Sequence, residues 1–340
     1  MRRRFRAALC MLAACCVLTT LASETPVELI DQTGTRVTVT PPIERLVSVY
    51  GPGTFSVYAL GAGDRLAMAW YVGVRGIAQA SDAMRRFEPR LEELLSFGDP
   101  NVEEMIARGA DLILVDGSRH GAFAGQMNGL GVPTLQFLVE TPEALSESLR
   151  LLSEALGEEA KQRAAAFAAD YDRVVSAVQA DLSDVQTEDR VRVLFIGTDP
   201  LTVASGDMYQ TLLIEAAGGI SATRELAGYW NEVNLEQVLL WNPEVILIAP
   251  YGPVQPADLL ESADWQAVAA VQAGRVHRMP RVLAPMDTPV PESLLGVVWI
   301  ANVLYPKRVD LDLTSEAVAF YANYYNYALS DAEIAQLTSP

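Results

Sequence analysis

The stretch "NVEEMIARGADLILVD" (residues 101–116) decides the fold, because the chain states it twice: residues 234–249 read "NLEQVLLWNPEVILIA". In each copy an Asn stands just before a short helical pattern, where its side-chain oxygen can cap the free backbone N–H groups. Three residues on, Glu104 and Gln237 complete the pattern of a capping box. A break follows, then an apolar run, "LILV" or "VILI", of the length of a buried strand. Each copy therefore predicts a helix–strand unit of an α/β lobe, and two copies predict two lobes of similar build. Glu103 and Glu236 occupy equivalent positions between the cap and the box residue. They read equally as first-turn acids favoured by the helix dipole and as a matched pair of exposed acids, one per lobe, suited to a two-fold-symmetric partner.

Working outward, "VELIDQTGTRVTV" predicts a hairpin around a Gly-containing turn. "ERLVSVY" predicts a strand, broken by Gly51-Pro52-Gly53, with a helix beyond; "RLAMAWY" and "VPTLQFL" predict further strands. Strands alternating with helices imply a parallel α/β sheet. From Pro142 the alternation stops. Phe167, Tyr171, Val174 and Val178 recur at helical spacing, and a helix over 158–182 would run roughly 37 Å at about 1.5 Å per residue, enough to join two domains. Alternation then resumes with "VRVLFIG", "DMYQTLLIEAAGG", "RVHRMP" and "PESLLGVVWIANVLYP", and an amphipathic helical segment begins at Thr314. The expected organisation is a leader over residues 1–22, an N-terminal lobe over 23–157, a connecting helix over 158–185 and a C-terminal lobe with its helical segment over 186–340.

The leader is a basic "MRRRFR" followed by the apolar "AALCMLAACCVLTTLA", an export signal with small residues at its end. Its apolar run is shorter than the roughly 20 residues a membrane span requires. "LAAC" ending at Cys15 has the form of a lipoprotein box, so a lipid tether at Cys15 is an alternative to free release; "RRRF" weakly resembles a twin-arginine signal. Cys10, Cys15 and Cys16 all lie in this leader and the chain has no other cysteine. The exported part thus has no basis for a disulfide framework or a thiolate metal site. Loss of the leader's four arginines takes the net charge from −18 to −22. Such a field repels nucleic acid and anionic lipid.

Taken in order, "DQTGTRVTV", "ERLVSV", "YALGAGDRL", the two helix–strand units, the long mid-chain helix and "AVQAGRVHRMP" resemble the periplasmic substrate-binding proteins of ABC importers for ferric siderophores, cobalamin and haem. The resemblance spans the chain beyond the leader. It implies two doubly wound α/β lobes with mainly parallel sheets, joined by one rigid α-helix, with a ligand cleft between them. It implies a monomer with no cofactor of its own. It further implies a glutamate in each helix–strand unit docking to basic residues of an ABC permease dimer served by its ATPase; the matching positions are Glu103 and Glu236. "MDTPVPESLLGVVWIANVLYP" and "FYANYYNYALSDAEI" resemble an iron-complex branch, which makes a ferric-siderophore-type iron chelate the expected ligand, with cobalamin or haem as alternatives. Met286 stands where many relatives carry an aromatic residue, so an aromatic contact is not expected there.

Ligands of such lobes meet the loops beyond the carboxyl ends of the strands. That rule singles out Tyr50, Trp70, Tyr71, Arg119 and His120 in the first lobe, and Tyr209, Trp230, Tyr251, Arg281, Met286 and Asp287 in the second. Aromatic rings suit flat, partly apolar chelates, and arginine suits anionic oxygens. Each residue alone reads as readily as packing. His120 could ligate a haem iron or serve as an ordinary loop histidine, and with two histidines in all a histidine cage for zinc or iron is excluded. The competing class is an exported α/β enzyme. "GPGTFS" has a Gly-x-Gly start but carries Ser56 at the third glycine position, and no P-loop or nucleophile elbow is present.

Overall fold

In a computed structural model, which describes residues 25–338, the hairpin is β1 (Val27–Ile30) against β2 (Arg36–Val39). Asp31 fixes its turn by accepting from Thr33 N and Thr35 N at 3.0 and 2.9 Å, and it fastens the hairpin to the first sheet through Gln136 N and Nε2 at 3.2 Å. That sheet comprises β3 (Leu46–Ser48), β4 (Leu66–Ala69), β5 (Leu112–Asp116) and β6 (Thr134–Phe137), all parallel, in the order β4-β3-β5-β6. The chain leaves β3 for one side and returns on the other, which opens a crevice at the strand ends.

The second sheet is built on β7 (Arg192–Ile196), flanked in parallel by β11 (Val245–Ile248) and then β12 (Val276–Arg278). Three two-residue strands complete it: β8 (Thr202–Val203), β9 (Ile220–Ser221) and β10 (Asn231–Glu232). β8 and β10 run antiparallel; two residues are too few to carry a periodic signal, and sequence reasoning did not see them. The buried strands show why their runs lack alternation. Val193 and Phe195 face one apolar cluster and Leu194 and Ile196 another on the opposite face, so both faces are covered.

The two copies of the repeated stretch form as helix plus strand, Val102–Ala107 with β5 and Leu235–Trp241 with β11, but only the second has the full capping box. There Gln237 N donates to Asn234 Oδ1 at 2.9 Å and Asn234 N donates back to Gln237 Oε1 at 3.0 Å. In the first, Asn101 caps Glu104 N at 3.0 Å, but the Glu104 carboxylate turns forward to Arg108 at 3.4 Å. An arginine one turn on competes for the carboxylate; Trp241, at the matching position, offers no such charge.

Gly51-Pro52-Gly53 begins the helix Gly51–Ala59 rather than preceding it, with Pro52 in the first turn where no intrahelical N–H is lost. The mid-chain segment is two helices, Pro142–Leu156 and Glu158–Asp181, packed together and divided at Gly157, whose φ of 106° suits only glycine. Phe167, Tyr171, Val174 and Val178 of the longer helix lie in one apolar cluster running from Leu29 to Leu337 and including both lobes.

The C-terminal helices Leu313–Tyr325 and Asp331–Thr338 do not stay with the second lobe. Tyr325 packs on Phe55 and Phe87 at 6.3 and 5.5 Å between ring centroids, Arg86 pairs with Glu333 at 2.5 Å, and Arg163 donates to the carbonyls of Asn323 and Tyr324 at 2.9 Å. The tail thus straps the first lobe to the second alongside the connecting helix. No helix among the described residues is long and apolar enough to cross a membrane. The leader and the expected tether at Cys15 lie outside the described residues.

Candidate functional site

A cavity of about 920 Å³ opens between the lobes. The ends of the first-lobe strands supply Tyr50, Trp70, Tyr71, Asp116, Arg119 and His120; the second lobe supplies Met208, Tyr209, Gln210, Tyr229, Trp230 and Tyr251. Two hydrogen bonds cross from lobe to lobe around it. The exposed Tyr229 hydroxyl donates to Glu140 at 3.3 Å, and Arg281 Nη2 donates to the Val72 carbonyl at 3.0 Å. Next to Val72, Gly73 has φ of 70° and a Cβ there would lie 2.8 Å from the Arg281 guanidinium, so this crossing requires a glycine.

Part of the aromatic lining is held from behind. The Tyr71 hydroxyl is 2.7 Å from that of Tyr58, which donates to buried Glu88 at 2.9 Å. Tyr209 is tied to Ser293 at 2.8 Å, and Trp230 packs on Phe195 at 6.3 Å. These anchors fix ring orientation, and the Tyr71 and Tyr209 hydroxyls are satisfied inside the protein, so the rings present apolar faces. Tyr50 is kept protonated by burial, reinforced by Asp116 and Glu140. Trp70 meets His120 edge-to-face at 5.9 Å, and both Trp70 Nε1 and His120 Nδ1 are buried without a hydrogen-bond partner. Burial pulls the His120 imidazole below its ordinary range, favouring the neutral ring.

The charge of the lining is acidic. Asp99, Asp116 and Glu140 face Arg75 and Arg119, and Arg119 is already paired with Asp116 at 3.6 Å. Among the described residues no group of three or more His, Cys, Asp or Glu side chains converges to hold a bare metal ion.

Of the sequence-predicted ligand residues, Tyr50, Trp70, Tyr71, Arg119, His120, Tyr209, Trp230 and Tyr251 line the cavity. Arg281, Met286 and Asp287 do not. The loop after β12 was expected to extend into the cleft. Instead residues 283–287 run beneath the wall, with Leu283, Ala284, Met286 and Asp287 at 0 % exposure, and the loop reaches the cavity only at Thr288 and Pro289. Met286 lies under the helix Ser293–Leu304, whose Gly296 admits its carbonyl, and Arg281 is engaged with the opposite lobe. The sequence reading missed Arg75, Phe97, Asp99, Asp116, Glu140 and Gln210. Phe97 is 62 % exposed on the cavity rim, and an aromatic residue before the turn-forming "GDP" was the available signal. Glu140 and Gln210 carry no pattern that distinguishes them from surface residues.

A family model described as "Periplasmic binding protein" matches residues 46–283, most of the chain and both sheets. The chain belongs to the periplasmic binding protein family. Among relatives of this binding protein, the molybdate-binding protein MolA of Haemophilus influenzae is 29% identical over 263 residues, 71% of this chain and 75% of that one. An ABC transporter substrate-binding lipoprotein of Bacillus subtilis is 25% identical over 298 residues, 83% of this chain and 86% of that one. In fold, a periplasmic solute-binding protein from Veillonella parvula superposes with a TM-score of 0.79 at 23% identity, covering 92% of this chain and 97% of that one. The two sequence relatives are binding proteins, the second of an ABC transporter, and the enzyme alternative gives way to that class.

Glu103 and Glu236 are both exposed, each in the first turn of its helix. Three residues beyond each, the aliphatic side chains of Ile106 and Leu239 are also exposed, at 54 % and 37 %. The two copies of the repeated stretch thus present like surfaces.

Proposed function

We propose that this binding protein is exported to the periplasm, free or tethered at Cys15, and as a monomer captures a bulky metal chelate of neutral or positive charge, in the manner of a ferric hydroxamate, for delivery to an ABC importer. The observation that carries this reading is the cavity. Its volume, about 920 Å³, lies near the top of the range for small-molecule sites, and its wall combines aromatic faces with more carboxylates than free cations. A small dianion such as molybdate calls for converging N–H donors and unpaired cations. The wall sets Asp99, Asp116 and Glu140 against Arg75 and an Arg119 already paired with Asp116, with Trp70 Nε1 an unpartnered N–H among its lining side chains, so the chelate reading is preferred to transfer of the MolA ligand. The acidic wall also disfavours ferric catecholates, which carry high negative charge. Iron, on this reading, arrives with its coordination supplied by the chelator.

Delivery follows from the outer surface. On this reading Glu103 and Glu236 dock the loaded protein to basic residues on the two halves of a permease dimer, one lobe to each. The continuous core through the connecting helix and the tail favours small lobe movement over wide hinge closure.

The test is calorimetric titration of the protein lacking residues 1–22 against a ferric trihydroxamate, vitamin B12, haem and molybdate. One-to-one submicromolar binding of the hydroxamate, with molybdate far weaker, is the expected result. Tight molybdate binding with no response to any chelate would overturn the proposal, and vitamin B12 or haem alone binding tightly would redirect it to that ligand.

A further inference from the structure

Behind the cavity wall lies a carboxyl group that touches neither solvent nor the cavity. Asp287 is fully buried, and its Oδ2 accepts from Gln210 Nε2 at 3.2 Å and from the Tyr251 hydroxyl at 2.9 Å. Both donors belong to residues that line the cavity. Two acceptors in the same cluster, Asp287 Oδ1 and Gln210 Oε1, are buried without any partner. Buried polar atoms are nearly always paired, so orphans at a ligand site call for an explanation.

The donor and acceptor inventory supplies one. An ionised carboxylate only accepts, so it holds the amide nitrogen of Gln210 toward itself and turns the amide oxygen away. Tyr251 has one proton, and it too is committed to Asp287, which leaves the phenolic oxygen with lone pairs only. Gln210 Oε1 has no open surface in this structure, so a ligand meets it only as the side chain shifts, and what this part of the wall then has left to offer is acceptor capacity.

We infer that Asp287 is a positioning residue for the binding site: it orients Gln210 and Tyr251 so that the wall selects a chelate bearing N–H or O–H donors. This rests on the chelate reading above. A site built around an unpaired polar group discriminates strongly against an analogue lacking the matching group. The charged group that acts on Asp287 is Arg281, on which Glu292 acts in turn, and Tyr251 is the hydrogen-bonded titratable neighbour of Asp287. Burial pushes the Asp287 carboxyl up to about 6, while Gln210, Tyr251 and Arg281 pull the other way. Once protonated, the acid can itself donate, the Tyr251 proton is released, and donor selection weakens.

The test uses two probes on the protein lacking residues 1–22: a ferric trihydroxamate carrying a primary ammonium, and the same chelate with that nitrogen permethylated, equal in charge but without a donor. At pH 8 the wild type should bind the first about tenfold more tightly, a difference of about 1.4 kcal/mol. The preference should shrink at pH 5. Asp287→Asn and Gln210→Met should bind both probes within about twofold of each other; a residue that only supports the fold would weaken both alike and keep the ratio. Equal binding of the two probes by the wild type overturns the inference and leaves the chelate proposal standing. If neither probe binds, the chelate proposal fails, and the ligand-free protein still decides the positioning. The side-chain amide resonance of Gln210, assigned by its loss in Gln210→Met, should shift and lose protection from solvent exchange in Asp287→Asn; an unchanged resonance overturns the role assigned to Asp287.

Discussion

Phe167→Ala removes the ring at the centre of the joint between the lobes. Phe167 is fully buried on the connecting helix, 5.7 Å from the Tyr324 ring of the C-terminal strap and 6.2 Å from Tyr171. Both neighbours are themselves held: Tyr324 donates to Asp170 at 2.6 Å, and Tyr171 is buried within the same cluster. The space left by the ring cannot readily collapse, so the transfer and cavity terms add, and the expected loss is about 3–5 kcal/mol. With a urea m-value of about 3 kcal/mol/M, the midpoint should fall by roughly 1–1.7 M. The measurement is urea unfolding followed by far-ultraviolet circular dichroism and by tryptophan fluorescence. Because one apolar cluster includes both lobes and the helix, the two probes should report a single coincident transition in the wild type. A loss under about 1 kcal/mol, or two separate wild-type transitions with only one moved by the substitution, would refute the reasoning that the joint and the lobes share one core.

Three further outcomes follow from the same structure. Asn234→Ala and Asn101→Ala each remove one side-chain cap and should each cost about 0.5–2 kcal/mol, whereas Gln237→Ala, which removes the return bond from Asn234 N, should cost more than Glu104→Ala, whose carboxylate faces Arg108 instead; equal losses of the second pair by urea titration would contradict the difference in capping. Glu333 accepts from Ser330, Tyr327 and Arg86, which together hold its carboxyl below the ordinary range despite burial; Glu333→Ala should therefore loosen the strap at a cost of about 1–3 kcal/mol, read as faster hydrogen exchange over residues 313–338, and unchanged exchange would argue against the strap. Burial pushes the fully buried Glu292 up to about 7, against the hydrogen bonds from Tyr325 and Ala284. Its folded form retains a proton that the unfolded chain gives up from about pH 4.5, so its contribution to stability falls as pH rises from there to about 7 and is flat above. His120 and His277, both lowered by burial, act with the opposite sign, so the informative quantity is the difference between proteins: Glu292→Gln should gain stability relative to wild type between pH 5 and pH 7.5, and a difference independent of pH would contradict the assignment.

The lobes were legible because each repeated stretch combines a cap, a short helical run and a β-branched core strand, features set by local chemistry. The connecting helix was legible because Phe167, Tyr171, Val174 and Val178 keep one spacing over a long run free of glycine and proline. The paired strands β8 and β10 were not, since two residues show no period. The strap was read as helical, but its destination was not, because contacts such as Arg86 with Glu333 join residues 247 positions apart and no local pattern records them. At the site, aromatic residues just beyond strand ends fell where the strand-end rule put them. In the loop carrying Arg281, Met286 and Asp287 only Thr288 and Pro289 reach the cavity, because the apolar Leu283 and Ala284 carry the neighbouring residues under the wall.

The central claim is that the ligand is held between the lobes by the strand-end loops of both. Hydrogen exchange of the protein with and without a saturating ferric trihydroxamate tests it most directly. The account predicts slower exchange on binding in residues 70–75 and 116–120 of the first lobe together with residues 208–210 and 229–231 of the second, with the outer faces unchanged. Protection confined to one lobe, or centred away from these loops, would contradict it.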